Sequence, residues 1–168
     1  MTSTQQAAAT VAGFREPAVA STGMVIRRPV AEVFDAFIDP AITSRFWFSR
    51  GSGRVAPGAR LTWFWDMYDV SAEVEVQEVV PNERITLRWG DANAMTDVEW
   101  LFRPQTDGAT FVSITNTGFV GSVDAICAQV GDSSQGFSFV LAGLKALLEH
   151  GIDLRLVPDR MPTHTAHG

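Results

Sequence analysis

Five tryptophans, Trp47, Trp63, Trp65, Trp89 and Trp100, all fall between positions 47 and 100. Four of them recur at period-two spacing within strand-like stretches, which places them on one face of a sheet. Such an aromatic face can fill a core against Phe137, Leu141 and Leu144, or leave walls that suit a flat or aliphatic molecule. Both outcomes can hold at different depths of one fold.

Side chains able to move a proton are less well placed. Asp66 and Tyr68 follow directly on the Trp63–Trp65 stretch, where they could orient a ligand or serve as acid and hydroxyl. A turn is the commoner use of an aspartate at such a position, for Asp66 or for Asp69. The pairs Glu73/Glu75 and Asp97/Glu99 each put two carboxylates on one strand face, but opposite the apolar set, so a solvated outer face is expected. Arg45 and Arg54 lie in loops from which a guanidinium could reach an acidic ligand. The histidines are His150, His164 and His167, all at or beyond the end of the last helix. That position argues against a Ser-His-Asp device, and against a histidine metal site, inside the apolar region. Cys127 is the one cysteine and falls in an apolar helical pattern, so a buried structural thiol is expected. The chain contains no G-x-S-x-G elbow, phosphate loop or dinucleotide fingerprint, and no cofactor is expected.

The elements that must hold these residues read as follows. Residues 1–18 form a small-residue and polar leader closed by Pro17. A first strand runs from Val19 to Arg28, and Pro29 opens a helix whose stripe is Val30, Val33, Phe34, Phe37 and Ile38. Asp39-Pro40 ends it and starts a second short helix, with Asp39 as its cap, running to about Trp47. A glycine-rich loop follows, then four or five strands joined by turns too short for parallel crossovers, so the sheet is antiparallel. After Gly118 the period changes to 3.6. Val123, Ile126, Cys127 and Val130 make one apolar stripe ending at Gly131; Asp132 with Gln135 resembles a cap that restarts the helix. Phe137, Val140, Leu141, Leu144, Leu147 and Leu148 carry it to His150-Gly151, and the tail from Leu154 onward is expected to be extended or frayed.

Length and composition set outer bounds. At 168 residues, 46% hydrophobic and 19% charged, the chain suits one globular domain. A net charge of −6, with thirteen scattered basic residues, argues against nucleic acid as a partner. The start lacks the basic and apolar segments of a signal peptide, and no stretch approaches the ~20 apolar residues of a membrane span. A cytoplasmic protein is expected, with no membrane partner.

The order of strand, two short helices, antiparallel meander and long C-terminal helix resembles the SRPBCC or START-like superfamily, and within it the AHSA1-like family named after the activator of Hsp90 ATPase. The resemblance spans residues 19–157, leaving 158–168 as a tail. It rests on Arg28-Pro29-Val30-Ala31-Glu32-Val33-Phe34-Asp35-Ala36-Phe37, Phe46-Trp47-Phe48 and Thr62-Trp63-Phe64-Trp65-Asp66-Met67-Tyr68. It rests also on Val80-Pro81-Asn82-Glu83-Arg84-Ile85 and the ending Val140-Leu141-Ala142-Gly143-Leu144-Lys145-Ala146-Leu147-Leu148-Glu149. What it implies is an α+β helix-grip fold, a curved sheet wrapped around the C-terminal helix with a pocket between them.

With that fold, the expected site is a ligand-binding one built from Trp47, Trp63, Trp65, Tyr68, Trp89, Trp100, Phe137, Leu141 and Leu144. The expected partner is a small hydrophobic molecule. Gly136 and Gly143, seven apart on the helix, would let ligand or sheet approach its backbone, or simply allow tight packing. Two alternatives stand beside this reading. One is a cyclase- or hydrolase-type enzyme using Asp66 or Tyr68. The other is a protein-interaction domain: a chaperone partner, or a homodimer built on the exposed sheet face, where Phe64 and Leu101 could form a patch, or on the C-terminal tail.

Overall fold

The computed structural model describes residues 16–162. The leader and two of the three histidines, His164 and His167, lie mostly or wholly outside them. Strand β1 (Ala20–Ile26) leads into helix α1 (Val30–Ile38) and the short α2 (Pro40–Thr43). Then come β2 (Arg50–Gly51), β3 (Arg60–Trp65), β4 (Val70–Val80), β5 (Arg84–Gly90), β6 (Thr96–Pro104) and β7 (Thr110–Thr117), followed by α3 (Val123–His150). The seven strands form one antiparallel sheet in the order β1-β7-β6-β5-β4-β3-β2. Five of the six sequential strand joins therefore connect sheet neighbours, while β1 and β2 stand at opposite edges and β1 pairs with β7. This is the expected helix-grip architecture.

Alternation explains the two faces. On β4 Ala72, Val74 and Val76 are buried while Ser71, Glu73 and Gln77 are exposed. A bulge between Val76 and Glu78 then adds one residue to β4, so that Val79 opposes Ile85 and stays on the core side. The carboxylates lie on the outer face as expected: Glu75 pairs with Arg60 at 3.7 Å and Asp97 with Arg88 at 3.4 Å. Phe64, expected as part of an exposed patch, is instead covered by the Arg50 guanidinium, 3.7 Å from its ring centroid. Arg50 is in turn held by Asp66 at 3.2 Å.

Asp39 caps α2 by accepting from the Ala41 N–H at 2.9 Å, an arrangement worth about 1 kcal/mol. The helix behind it is shorter than expected and ends at Thr43, with turns carrying the chain on to Trp47. Thr43 closes the helix by donating to the Ala36 carbonyl at 2.6 Å. Phe34 and Phe37 of α1 pack edge-on against Phe102, at 5.2 and 5.6 Å between centroids.

Two expectations about α3 are corrected. The helix does not break at Gly131: it runs unbroken for 28 residues. Helical hydrogen bonding on both sides outweighs the ~1 kcal/mol cost of one interior glycine. Asp132 and Gln135 are free to serve elsewhere, as described below. Cys127 is exposed, not buried. In its stretch only Ile126 reaches the core, while Val123 is 38% exposed, so the apolar stripe has little to cover it there. A Cβ at Gly131 would meet nothing within 4 Å. Gly131→Ala is accordingly expected to raise unfolding free energy by about 0.5–1 kcal/mol, read as a shift in the denaturant midpoint without a change in slope.

The other end of α3 covers the sheet's open edge. β1 is an edge strand, and its Val25 carbonyl accepts from Lys145 Nζ at 2.9 Å while the Arg27 N–H donates to Glu149 at 2.7 Å. Burial pushes the Glu149 carboxyl up, but hydrogen bonds from Lys145 and the Arg27 N–H, with the charges of Lys145 and His150, outweigh it and hold the group below its usual range. A carboxyl lowered by folding stabilises above its unfolded value and loses that contribution as pH falls through the lower, folded one. Stability should thus decline below about pH 4–5. Glu149→Gln should cost about 1–3 kcal/mol at neutral pH and flatten that acid limb, measured by denaturant unfolding across pH.

Candidate functional site

Between the concave face of the sheet and α3 lies a cavity of about 440 Å³, within the usual size of small-molecule sites. Its floor is aromatic. Trp47 sits at the hub, with ring centroids 4.9 Å from Trp63, 5.7 Å from Trp89 and from Trp100, and 5.9 Å from Phe137. Trp65 and Trp89 face each other at 6.0 Å and Trp89 meets Phe137 at 5.7 Å. Offset and edge-on arrangements of this kind fix the rings through their quadrupoles as well as by burial.

Of the expected site residues, Trp47, Trp65, Tyr68, Trp89 and Phe137 line the cavity. Trp63, Trp100, Leu141 and Leu144 share the same face but lie one layer deeper, each at most 1% exposed, and are not among its lining residues. They support the floor. Trp63 stacks on Phe48 at 5.1 Å, and Trp100 packs on Phe37 at the same distance. The indole N–H groups of Trp63 and Trp100 find no hydrogen-bond acceptor among the described residues. Gly143 is a packing glycine: a Cβ there would stand 3.3 Å from the Phe46 carbonyl oxygen. Gly136, by contrast, lines the cavity.

Sequence reasoning missed the polar side of the mouth. Asn116 on β7, 2% exposed, donates from Nδ2 to Thr96 Oγ1 at 2.9 Å and to the Asp97 carbonyl at 2.8 Å. Its Oδ1 accepts from Ser133 Oγ of α3 at 2.9 Å. This tie pins helix to sheet beside the cavity and leaves no buried donor of Asn116 unmet. An inward-facing Asn in an otherwise apolar alternation was the one signal available.

The C-terminal segment, expected to be extended or frayed, folds over the same mouth. Pro158–Arg160 form a 3₁₀ turn, and Val157 and Arg160 line the cavity. Tyr68 donates its hydroxyl to the Val157 and Pro158 carbonyls. Arg160 binds Asp132 and reaches Gln135 Oε1 at 3.0 Å. Asp66 is exposed and engaged with Arg50, away from the cavity wall. Arg54 pairs with Asp39 at 3.6 Å, and Arg45 lies outside the cavity lining. The carboxylate on the cavity wall is Asp132, whose side chain is 71% exposed. No cluster of three or more metal-ligating side chains occurs among the described residues.

Solved structures share this fold. A protein from Staphylococcus saprophyticus is 29% identical, with a TM-score of 0.70, covering 82% of this chain and 96% of that one. The Aha1 dimer from Colwellia psychrerythraea is 15% identical at a TM-score of 0.69, covering 80% and 98%. DynU16, from the dynemicin biosynthetic locus, is 22% identical at 0.70, covering 80% of this chain and 48% of that one. No curated protein matches the chain. The sequence profile of the activator of Hsp90 ATPase homolog 1-like proteins matches residues 27–149, and the chain belongs to that family.

Proposed function

We propose that the protein is a small-molecule binding module that holds a hydrophobic ligand between its sheet and α3. The observation that carries this is the cavity of about 440 Å³, walled by Trp47, Trp65, Trp89 and Phe137 and flanked at its mouth by the C-terminal segment. Burying an apolar molecule there would yield about 25 cal/mol per Å² before the costs of ordering. The wall offers rings and ordered polar contacts. Its carboxylate, Asp132, is exposed and ion-paired, and Tyr68 is committed to backbone carbonyls, so neither is poised for proton transfer. A protein-interaction role would rest on the exposed apolar side chains Ile152, Leu154 and Met161 and on the family's name.

The test is a titration with the neutral probe N-phenyl-1-naphthylamine, read by energy transfer from tryptophan. Saturable one-site binding is expected. Trp65→Ala should weaken it by about tenfold or more, the usual effect of removing a buried aromatic anchor. Unaltered binding by a folded Trp65→Ala variant would refute the cavity as the site.

A further inference from the structure

We propose that the ligand carries an anionic head, a carboxylate or similar oxyanion, and that Arg160 on the C-terminal segment is its receptor. This rests on reading the cavity as a binding site. Several hydrogen-bond donors at the mouth are already spent. Tyr68 gives its hydroxyl proton to the Val157–Pro158 backbone. Asn116 uses both amide protons on Thr96 and Asp97, and Ser133 uses its own on Asn116. Gln129 donates to the Val120 and Ala125 carbonyls at 3.0 and 3.1 Å.

Arg160 differs. Its bonds to Asp132 and Gln135 all leave from Nη2. Nε and Nη1 make no bond among the described residues, so the Nε–H and the two protons of Nη1 are left open on an always-charged group. Nη1 lies where a Cβ on Gly136 would come within 3.2 Å, which seats the guanidinium against α3 on the cavity wall. The geometry also favours an anion over a cation. The Arg160 side chain is 21% exposed against 71% for its partner Asp132, so of the two charges at the mouth the positive one is the more covered and the negative one the better solvated. The free Nη1 protons recognise an oxyanion through charge-assisted bonds, while the indole rings take the apolar body.

The experiment compares two probes that share a body and differ in charge, 1-anilinonaphthalene-8-sulfonate and N-phenyl-1-naphthylamine. Folded protein should bind the sulfonate about ten- to a hundredfold more tightly, the effect of a charge-assisted hydrogen bond. Arg160→Gln should bring the two affinities within about twofold of each other by weakening the sulfonate alone. Asp132→Asn, which frees the segment but keeps the guanidinium, should preserve the preference. Equal binding of both probes by the unaltered protein would overturn the anionic head and leave the cavity reading intact. Equal weakening of both probes by both variants would show Arg160 to be only a latch, and would also overturn it. Failure of both probes to bind would instead strike at the proposed function.

Discussion

Trp100→Ala is expected to lower the unfolding free energy by about 3–5 kcal/mol, a large part of the 5–15 kcal/mol typical of a domain. Trp100 is fully buried on β6, with Phe37 at 5.1 Å, Trp47 at 5.7 Å and Trp63 at 6.2 Å. Removing it opens a void among rings that are locked by one another and cannot collapse to fill it. Trp100→Phe should cost much less. It keeps most of the packing and deletes an indole N–H that is buried without an acceptor. Chemical denaturation of both variants checks the ordering, and equal losses would show that the ring's volume is not what matters.

Ala72→Trp is expected to abolish uptake of N-phenyl-1-naphthylamine, by about a hundredfold or more, while leaving the melting temperature within a few degrees. Ala72 lies on β4 opposite Trp63, is 9% exposed and lines the cavity. An indole there enters open space, so the overpacking cost of a filled core, about 1–3 kcal/mol, is largely avoided. Occupying the cavity from within is the reverse of truncating its wall. A variant that is folded, filled and still binds would place the probe elsewhere.

The fold was legible in the sequence wherever a side chain's role repeats at short range. Alternation located β3 and β4 to their end residues, and the 3.6 period located the buried part of α3 from Phe137 to Leu147. The same reasoning failed at Gly131, where a local breaker signal was overridden by the hydrogen bonding of a long helix. It failed at Cys127, because an apolar stripe says which side is greasy but not whether anything covers it. Within the site, period two gave the face of Trp63, Trp65, Trp89 and Trp100 but could not give depth. Depth separated the wall residues Trp65 and Trp89 from Trp63 and Trp100 beneath them. The mouth left no periodic trace, because its contacts join distant positions: Tyr68 to Val157, Asn116 to Ser133, Asp132 to Arg160. Single polar residues at such positions look like surface until the chain is folded.

Binding of a small molecule between sheet and helix is tested most directly by native mass spectrometry of the intact protein with N-phenyl-1-naphthylamine, beside the Ala72→Trp variant. One probe molecule per chain on the unaltered protein, and none on the variant, is the expected result. Adducts of equal occupancy on both, or no adduct on either at saturating probe, would contradict it.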